Sequence, residues 1–436
     1  MAVHRQPGTV LTDHTFRVPL DHRDPAGERI EVYAREVVAA GREREELPWL
    51  LYLQGGPGGR SPRPAARESW LRRALDDYRV LLLDQRGTGR STPANRQTLP
   101  GRGDAAEQAE YLAHFRADSI VADCELIRRQ LLGEEGRWSL LGQSFGGFCS
   151  LTYLSFASQG LREVFITGGL AGLARDAEQV YRAAYPRVER KNRRHYERYP
   201  QDVAAVREVA EHLREREVRL PDGGLLTPAS FQSLGMMLGR GSGSHTLHYL
   251  LEDAFLRGPA GPALSDTFLA DVHNHLSFAR NPLYAVLHES IYGQRSVSPG
   301  ATGWAADAVR SEFPCFDVDE ALSGGEPVLF TGEMIYPWMF TADPALAPLR
   351  EVAHALAERE GWPDLYDAGQ LGRNEIPVAA AVYHDDMYVD TAHSLETAAS
   401  VRGLRTWVTD EFEHDGLHVS DGRVLDRLIA LAHGEA

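Results

Sequence analysis

The stretch Gly142-Gln143-Ser144-Phe145-Gly146 follows directly after an apolar run at 138–141. This pattern predicts a strand, a sharp turn centred on Ser144 and a helix that begins near residue 147. Such a turn strains the backbone of the serine, and only small residues such as glycine fit on either side of it. The sequence therefore predicts that Ser144 is a nucleophile and that the next N–H group, on Phe145, faces the reacting carbonyl.

Strands and helices alternate along the first part of the chain. The pattern predicts strands at 15–20, 29–38, 49–53, 78–83, 138–141 and 163–167, and helices at 67–75, 119–132 and 148–158. Alternation of this kind indicates a mainly parallel sheet, and the short link between the first two strands indicates an antiparallel pair at that edge. Together with the turn at Ser144, it predicts the α/β class and the α/β-hydrolase fold.

The pattern changes near residue 173, where long segments rich in Arg, Glu, His and Tyr predict helices. A flexible break is predicted at 239–244, which contains only Gly, Ser and one Arg. Strand patterns return at 376–383 and 404–409, and an amphipathic helix is predicted at 423–433. We therefore expect a core formed by 1–172 and 366–436, with a mainly helical cap, 173–365, inserted into it.

The composition restricts the classes of partner. The 436 residues include 62 acidic and 46 basic side chains, a net charge of −16, which disfavours nucleic acid as a partner. No run approaches the ~18 apolar residues of a membrane span, and the N-terminal residues lack the apolar core of a signal peptide. We expect no membrane partner and a cytoplasmic location. Three cysteines provide no disulfide framework, and the oligomeric state stays open.

Candidates for the acid and base of a serine triad follow the last two predicted strands. In this fold the triad runs in the order Ser, Asp or Glu, His. Asp385 and Asp386 come directly after the strand at 376–383, and His414 and His418 lie beyond the strand at 404–409. An Asp after a strand is more commonly a turn or helix cap, so the order along the chain is what favours catalysis. The residues alone leave both choices open.

The loop 54–59, Gln-Gly-Gly-Pro-Gly-Gly, follows the strand at 49–53. An oxyanion needs two backbone N–H donors, and we expect them on Gly56 and Phe145. The loop lacks the Lys-Ser/Thr ending of a phosphate-binding loop, which disfavours phosphate as its ligand. A second glycine-rich turn, 84–91, is predicted to be structural, with Asp84 and Arg86 holding the loops that border the site.

Three motifs, at 53–58, 84–91 and 142–147, together resemble the prolyl aminopeptidases (proline iminopeptidases), in particular their longer bacterial subgroup, over nearly the whole chain. The resemblance implies a serine peptidase that releases N-terminal proline from peptides through an acyl-enzyme, without a metal or other cofactor. Gln54 stands where the family often has His, which leaves backbone donors unaffected. A broad-specificity aminopeptidase or an esterase is the alternative, and a hydrolase-like small-molecule receptor ranks below both.

The resemblance also implies particular site residues. It selects Asp386, which precedes Met387 as in smaller members, and His414, which lies in a Glu-His-Asp-Gly-Leu sequence close to the family's Glu-His-Asn-Gly-Leu. It implies that Glu289 and Glu333, from the cap, bind the free amine of the substrate. Two desolvated carboxylates repel each other unless a cation lies between them. The candidate walls of a proline pocket are Phe145, Tyr292, Tyr336, Trp338 and Phe340.

Overall fold

The computed structural model describes residues 2–259 and 261–435. Met1, Ala260 and Ala436, which fall within the predicted core and cap segments, lie outside the described residues. The strands are β1 (Ala2–Gln6), β2 (Thr9–Pro19), β3 (Arg29–Ala39), β4 (Trp49–Leu53), β5 (Arg79–Leu83), β6 (Trp138–Gln143), β7 (Leu161–Thr167), β8 (Phe255–Gly258), β9 (Gly261–Leu264), β10 (Val378–Tyr383) and β11 (Leu404–Thr409).

The α-helices are α1 (Ser69–Asp77), α2 (Ala105–Ala113), α3 (Ala117–Leu132), α4 (Phe145–Phe156), α5 (Ala177–Arg198), α6 (Asp202–Glu215), α7 (Pro228–Gln232), α8 (Gly243–Glu252), α9 (Asp266–Leu276), α10 (Leu283–Leu287), α11 (Ala305–Arg310), α12 (Val318–Gly324), α13 (Met339–Ala342), α14 (Arg350–Ala357), α15 (Ala368–Leu371), α16 (Thr391–Ser400), α17 (Gly416–Val419) and α18 (Arg423–His433). Short 3₁₀ helices lie at Leu99–Arg102, Ser158–Gly160, Ser233–Gly239, Glu289–Tyr292, Pro314–Phe316 and Ala347–Leu349. In the described ranges no helix combines the length and apolar character needed to cross a membrane.

Nine of the strands form one sheet in the order β1-β2-β3-β5-β4-β6-β7-β10-β11. The strands from β5 to β11 in that order are parallel to their neighbours, and β1, β2 and β3 are antiparallel. The mainly parallel sheet and its antiparallel edge are therefore confirmed. The carboxyl ends of the six parallel strands lie at one edge of the sheet, where α/β proteins place their sites.

Both faces of the sheet are covered. Leu51 and Leu53 of β4 pack into an apolar cluster with α3, α4 and α15. Leu50 and Tyr52, which point the opposite way, pack into a second cluster with α1, α17 and α18. Alternate residues of one strand face opposite sides, so a strand buried on both faces has a continuous apolar sequence.

The predicted bounds agree closely for several elements and differ for others. The bounds of β4, β11 and α18 match the prediction. In contrast, β2 begins at Thr9, and β1 is not predicted at all, because its side chains are mostly exposed and carry no apolar alternation. Helix α4 begins at Phe145, two residues earlier than predicted, because Ser144 is its N-cap residue.

Between β7 and β10 the chain forms helices α5 to α15 and the β8–β9 hairpin, which the sequence does not predict. These elements bury a third apolar cluster, which includes Phe231, Phe330 and Phe340 and extends to Tyr388, after β10. The cluster therefore reaches the carboxyl edge of the sheet. The predicted break at 239–244 is a short turn: the 3₁₀ helix ends at Gly239 and α8 begins at Gly243.

Candidate active site

The turn between β6 and α4 holds Ser144 in a strained backbone conformation. Its φ is 54° and its ψ is −121°, a region that residues with a side chain rarely adopt. The Ser144 N–H group donates to Thr167 O at 3.0 Å, which fixes the turn to the end of β7. A Cβ atom at Gly142 would clash with Gly146 O, and one at Gly146 would clash with Leu53 O. The predicted need for glycine at both positions is therefore confirmed.

Asp386 and His414 form a buried hydrogen-bonded pair. His414 Nδ1 lies 2.6 Å from Asp386 Oδ2, and Asp386 is 1% exposed. The other carboxylate oxygen accepts the N–H groups of Tyr388 at 2.8 Å and Val389 at 3.1 Å. With both oxygens occupied, the carboxylate has a fixed orientation. Burial alone would lower the pKa of His414, but the charge and hydrogen bond of Asp386 raise it above its usual value.

The two competing candidates lie elsewhere. Asp385 pairs with Arg194, and His384 Nδ1 lies 3.0 Å from its carboxylate. His418 is exposed, and among the described residues its ring makes no hydrogen bond. The structure therefore brings Asp386 and His414 together, whereas Asp385 is half-buried in its pair with Arg194 and His418 is exposed.

His414 and Ser144 approach the same short segment after β7. A Cβ atom at Gly168 would lie 3.1 Å from His414 Nδ1, and one at Gly169 would clash with Ser144 O. Only residues without a side chain let both groups come this close. Within the described part of the chain Ser144 and His414 make no hydrogen bond to each other, as is common for nucleophile and base without substrate.

Two backbone N–H groups beside Ser144 are unused. A Cβ atom at Gly55 would lie 2.9 Å from Ser144 Cβ, so the loop after β4 lies against the serine. Among the described residues, neither Gly56 N–H nor Phe145 N–H donates a hydrogen bond. Unpaired N–H groups at a buried turn are available to a ligand.

The turn 84–91 supports these loops, as its predicted role requires. Asp84 is fully buried and accepts the N–H groups of Ser61 at 3.1 Å and Arg90 at 2.9 Å. Arg86 donates to Asp123 at 2.7 Å and to the carbonyl of His114 at 2.8 Å. These bonds link the end of β5 to Ser61, just after the loop 54–59, and to α3.

Glu289 is buried at the start of helix α11. Its two carboxylate oxygens accept the N–H groups of Ala305 and Ala306, each at 3.0 Å. Burial raises the pKa of Glu289 to about 7, and these N–H groups oppose the shift. These two contacts therefore hold the Glu289 carboxylate against the start of α11.

Glu333 lies closer to the triad candidates. It is half-buried and accepts the hydroxyl of Tyr284. Burial raises the pKa of Glu333 to about 7; Tyr284 and the nearby His414 lower it, and the nearby Asp386 adds to the rise. Burial raises the pKa of the Tyr292 hydroxyl, and the negative charges of Glu289 and Glu333 raise it further. Both carboxylates therefore lie within electrostatic range of the same tyrosine.

The aromatic candidates divide into two groups. The ring of Tyr292 lies 6.0 Å from that of Phe148, which in turn lies 6.2 Å from Phe145 at the start of α4. Tyr336 and Trp338 stack at 5.7 Å within the segment between β7 and β10. Phe340 is fully buried and packs against Trp304 at 5.5 Å. Only the Tyr292 group extends directly from the Ser144 turn.

Other nucleophiles and ligands are less suitable. Burial raises the pKa of the Cys149 thiol, so the thiol stays protonated. Across residues 2–259 and 261–435, His, Cys, Asp and Glu form no cluster that could hold a metal ion.

Three supporting groups were not predicted from the sequence. Tyr284 binds Glu333, the N–H groups of Tyr388 and Val389 hold Asp386, and the start of α11 holds Glu289. Asp side chains commonly accept the backbone N–H of the residue two positions later, which forms a turn. The contact of Asp386 with Tyr388 could therefore have been predicted from the sequence. The other two join segments distant in sequence, and no local pattern indicates them.

The fold and the strained serine between β6 and α4 are those of the α/β hydrolases. A family model described as alpha/beta hydrolase fold matches residues 48–264. The chain is also similar along almost its whole length to curated proteins. It is 50% identical to a proline iminopeptidase from Aeromonas sobria over 96% of this chain and 95% of that protein.

The chain belongs to the proline iminopeptidase family. It is 37% identical to proline iminopeptidase aneH from Aspergillus aculeatus, over 98% of this chain and 95% of that protein. Among solved structures, a proline iminopeptidase-related protein from Thermus thermophilus aligns with 97% of this chain and 98% of its own, at 17% identity and a TM-score of 0.39.

Proposed function

We propose that this protein is a serine aminopeptidase that releases N-terminal proline from peptides. The observation that carries the proposal is the position of Glu333, a half-buried carboxylate that accepts the Tyr284 hydroxyl and lies within electrostatic range of the histidine of a Ser-His-Asp arrangement. A negative group at that place selects substrates with a positive charge next to the scissile bond. The α-amine of a peptide's first residue has that charge and that position.

The proposed chemistry uses three side chains and two N–H groups. Ser144 Oγ attacks the carbonyl carbon of the first residue while His414 takes its proton, and Asp386 stabilises the resulting imidazolium. The N–H groups of Gly56 and Phe145 hold the oxyanion. His414 then returns the proton to the leaving amine, and an acyl-enzyme remains.

The second half of the cycle repeats these roles with water. His414 accepts a proton from the water that attacks the ester, and Ser144 Oγ leaves with that proton. Free proline and the resting enzyme result. No step requires a metal or an organic cofactor.

The proposed amine site consists of Glu289 and Glu333. Each carboxylate is costly to ionise while it is buried without a cation. An ammonium group between them would attract both carboxylates and favour their ionised forms, and an acylated amine would not. The site therefore favours a free N-terminus, which makes the enzyme an exopeptidase.

We propose that the proline ring packs against Tyr292 and Trp338, with Tyr336 stacked behind Trp338. We also propose 173–365 as a cap over the core segments 1–172 and 366–436, since its apolar cluster reaches the sheet edge. The cytoplasmic location expected from the sequence stays a prediction.

Turnover of aminoacyl arylamides with proline, alanine, leucine and arginine tests this function. We expect kcat/KM for proline to exceed the others by ~10-fold or more, since apolar pockets discriminate by about 10- to 200-fold per small structural change. N-acetyl-proline arylamide serves as the control and should not be cleaved. A flat profile would favour a broad-specificity aminopeptidase, and cleavage of the acetylated compound would favour an esterase. Binding without repeated turnover would favour a receptor.

A further inference from the structure

A wide cleft opens beside the oxyanion loop. Its walls include Gly58 and Gly59 of that loop, the turn at Gly87–Gly89, and Leu283 at the start of α10. Its volume is about 1070 Å³. Tyr284, the next residue along α10, binds Glu333. The same short helix therefore borders both the proposed amine site and this cleft.

Three arginines line the cleft: Arg60, Arg96 and Arg280. All three are exposed. Within the described ranges none of them forms an ion pair or donates a hydrogen bond, although most arginines elsewhere in this acidic chain do. Of the described residues that line the cleft, one is acidic: Asp222. Its carboxylate lies 3.5 Å from His273 Nδ1. The cleft therefore has an uncompensated positive charge.

The loop 54–59 connects Ser144 to the near wall of the cleft. The oxyanion loop lies against Ser144 at Gly55, and the cleft begins three residues later at Gly58. An extended peptide advances about 3.3–3.6 Å per residue. From Gly55 the chain spans at most ~11 Å to Gly58 and ~18 Å to Arg60, a length that two to four extended residues beyond the scissile bond cover together with the reach of an arginine side chain. Guanidinium groups stay charged at any physiological pH and bind carboxylates through two parallel hydrogen bonds.

We propose that Arg60, Arg96 and Arg280 form a subsite for the C-terminal carboxylate of short peptide substrates. This inference rests on the proposed aminopeptidase function and extends it. In this proposal Glu289 and Glu333 bind the positively charged amine of the peptide, and the three arginines bind its negatively charged C-terminal carboxylate. The preferred substrates are therefore peptides of about three to five residues with both ends free.

The test compares Pro-Gly-Gly with its C-terminal amide, which differs only in charge. Each kcat/KM is divided by the value for proline arylamide with the same variant, which corrects for general effects on the site. For the unmodified enzyme we expect the free acid to exceed the amide by roughly tenfold, the change that ~1.4 kcal/mol produces. In the triple variant Arg60→Gln, Arg96→Gln, Arg280→Gln the two substrates should be equal. The preference of the unmodified enzyme should weaken as salt screens the charges.

Arg44→Gln is the matched control, because Arg44 is also exposed and makes no ion pair among the described residues. It should keep the preference of the unmodified enzyme. Equal rates for acid and amide with the unmodified enzyme, or a preference that survives the triple substitution, would overturn the carboxylate subsite. Failure of the unmodified enzyme to cleave proline arylamide is a different result and would overturn the proposed aminopeptidase function instead.

Discussion

The sheet edge and the cap contribute to the site in different ways. At the sheet edge the acidic group is fully bonded: Asp386 accepts hydrogen bonds from His414, Tyr388 and Val389. In the cap, burial raises the pKa values of Glu289 and Glu333 to about 7. The acid at the sheet edge is therefore fully bonded without substrate, whereas segment 173–365 contains two carboxylates that no cation pairs with among the described residues. This contrast suggests that the sheet performs the chemistry and the cap selects the substrate.

Removal of the nucleophile should have the largest effect. We expect Ser144→Ala to lower kcat/KM for proline arylamide by ~10⁴- to 10⁶-fold, as loss of a triad serine does elsewhere. The circular dichroism spectrum and Tm should stay close to those of the unmodified protein, because replacing the strained serine leaves the packing intact. Activity within tenfold of the original would remove Ser144 from the mechanism.

Replacement of the buried acid comes next. Asp386→Asn keeps the shape but cannot hold His414 in the correct tautomer, and we expect kcat to fall by ~10⁴-fold. Asp385→Asn is the matched control: its side chain pairs with Arg194 away from His414, and the change should stay below about twofold. Similar losses in both variants would contradict the assignment of the acid.

The sheet edge was largely predictable from the sequence. In a parallel sheet the loops after the strands meet at one edge, so Ser144, Asp386 and His414 could be located from strand ends alone. The choice of Asp386 over Asp385 was different, because neighbouring residues share the same strand end. A one-residue difference decides which carboxylate faces His414, and only the family resemblance selected it.

The cap was less predictable for physical reasons. Its short helices are irregular, and the groups that hold Glu289 and Glu333 come from segments distant in sequence. The contact of Glu289 with Ala305 and Ala306 depends on how α11 packs, which no periodicity records. Likewise, the β8–β9 hairpin has exposed strands without a buried face. Periodic sequence patterns reveal an element when one of its faces is buried. The strands of this hairpin have almost no buried face, so no such pattern marks them.

The pH dependence should separate the two regions. A carboxylate with a pKa of about 7 binds an ammonium group only when ionised, so we expect kcat/KM for proline arylamide to fall by up to about 10-fold per glutamate for each pH unit below 7. Hydrolysis of p-nitrophenyl acetate, a neutral ester, depends on His414 but not on the glutamates and should fall less steeply. Identical profiles for the two substrates would contradict a role for Glu289 and Glu333.

The same shifts affect the stability of the enzyme without substrate. A carboxyl group whose pKa is raised by folding contributes stability that is fully present below its unfolded value. That contribution is lost as the pH rises through about 7. Measurement of Tm between pH 5 and pH 8 with the double variant Glu289→Gln, Glu333→Gln as reference would show this loss in the unmodified protein alone.

The smallest effect is expected at the oxyanion loop. Gln54→His introduces the residue that stands there in many family members. The proposed oxyanion donors are the backbone N–H groups of Gly56 and Phe145, so kcat/KM should change by less than about threefold. The Gln54 side chain accepts a hydrogen bond from Tyr52 at 3.0 Å, which His can replace. A loss above tenfold in steady-state assays would mean that this side chain positions the loop.

The most direct test of the division between sheet and cap is the kcat/KM ratio of proline arylamide to p-nitrophenyl acetate, in the unmodified enzyme and in Glu333→Gln. Loss of a charged hydrogen bond costs about 1.5–3 kcal/mol, so the free-amine substrate should lose ~10- to 150-fold. The residual rate on p-nitrophenyl acetate should stay within about threefold, because Ser144, His414 and Asp386 are untouched. Our account predicts that the ratio collapses in the variant. An unchanged ratio would show that Glu333 does not bind the amine of the substrate. It would contradict the proposal that the cap selects substrates with a free N-terminus.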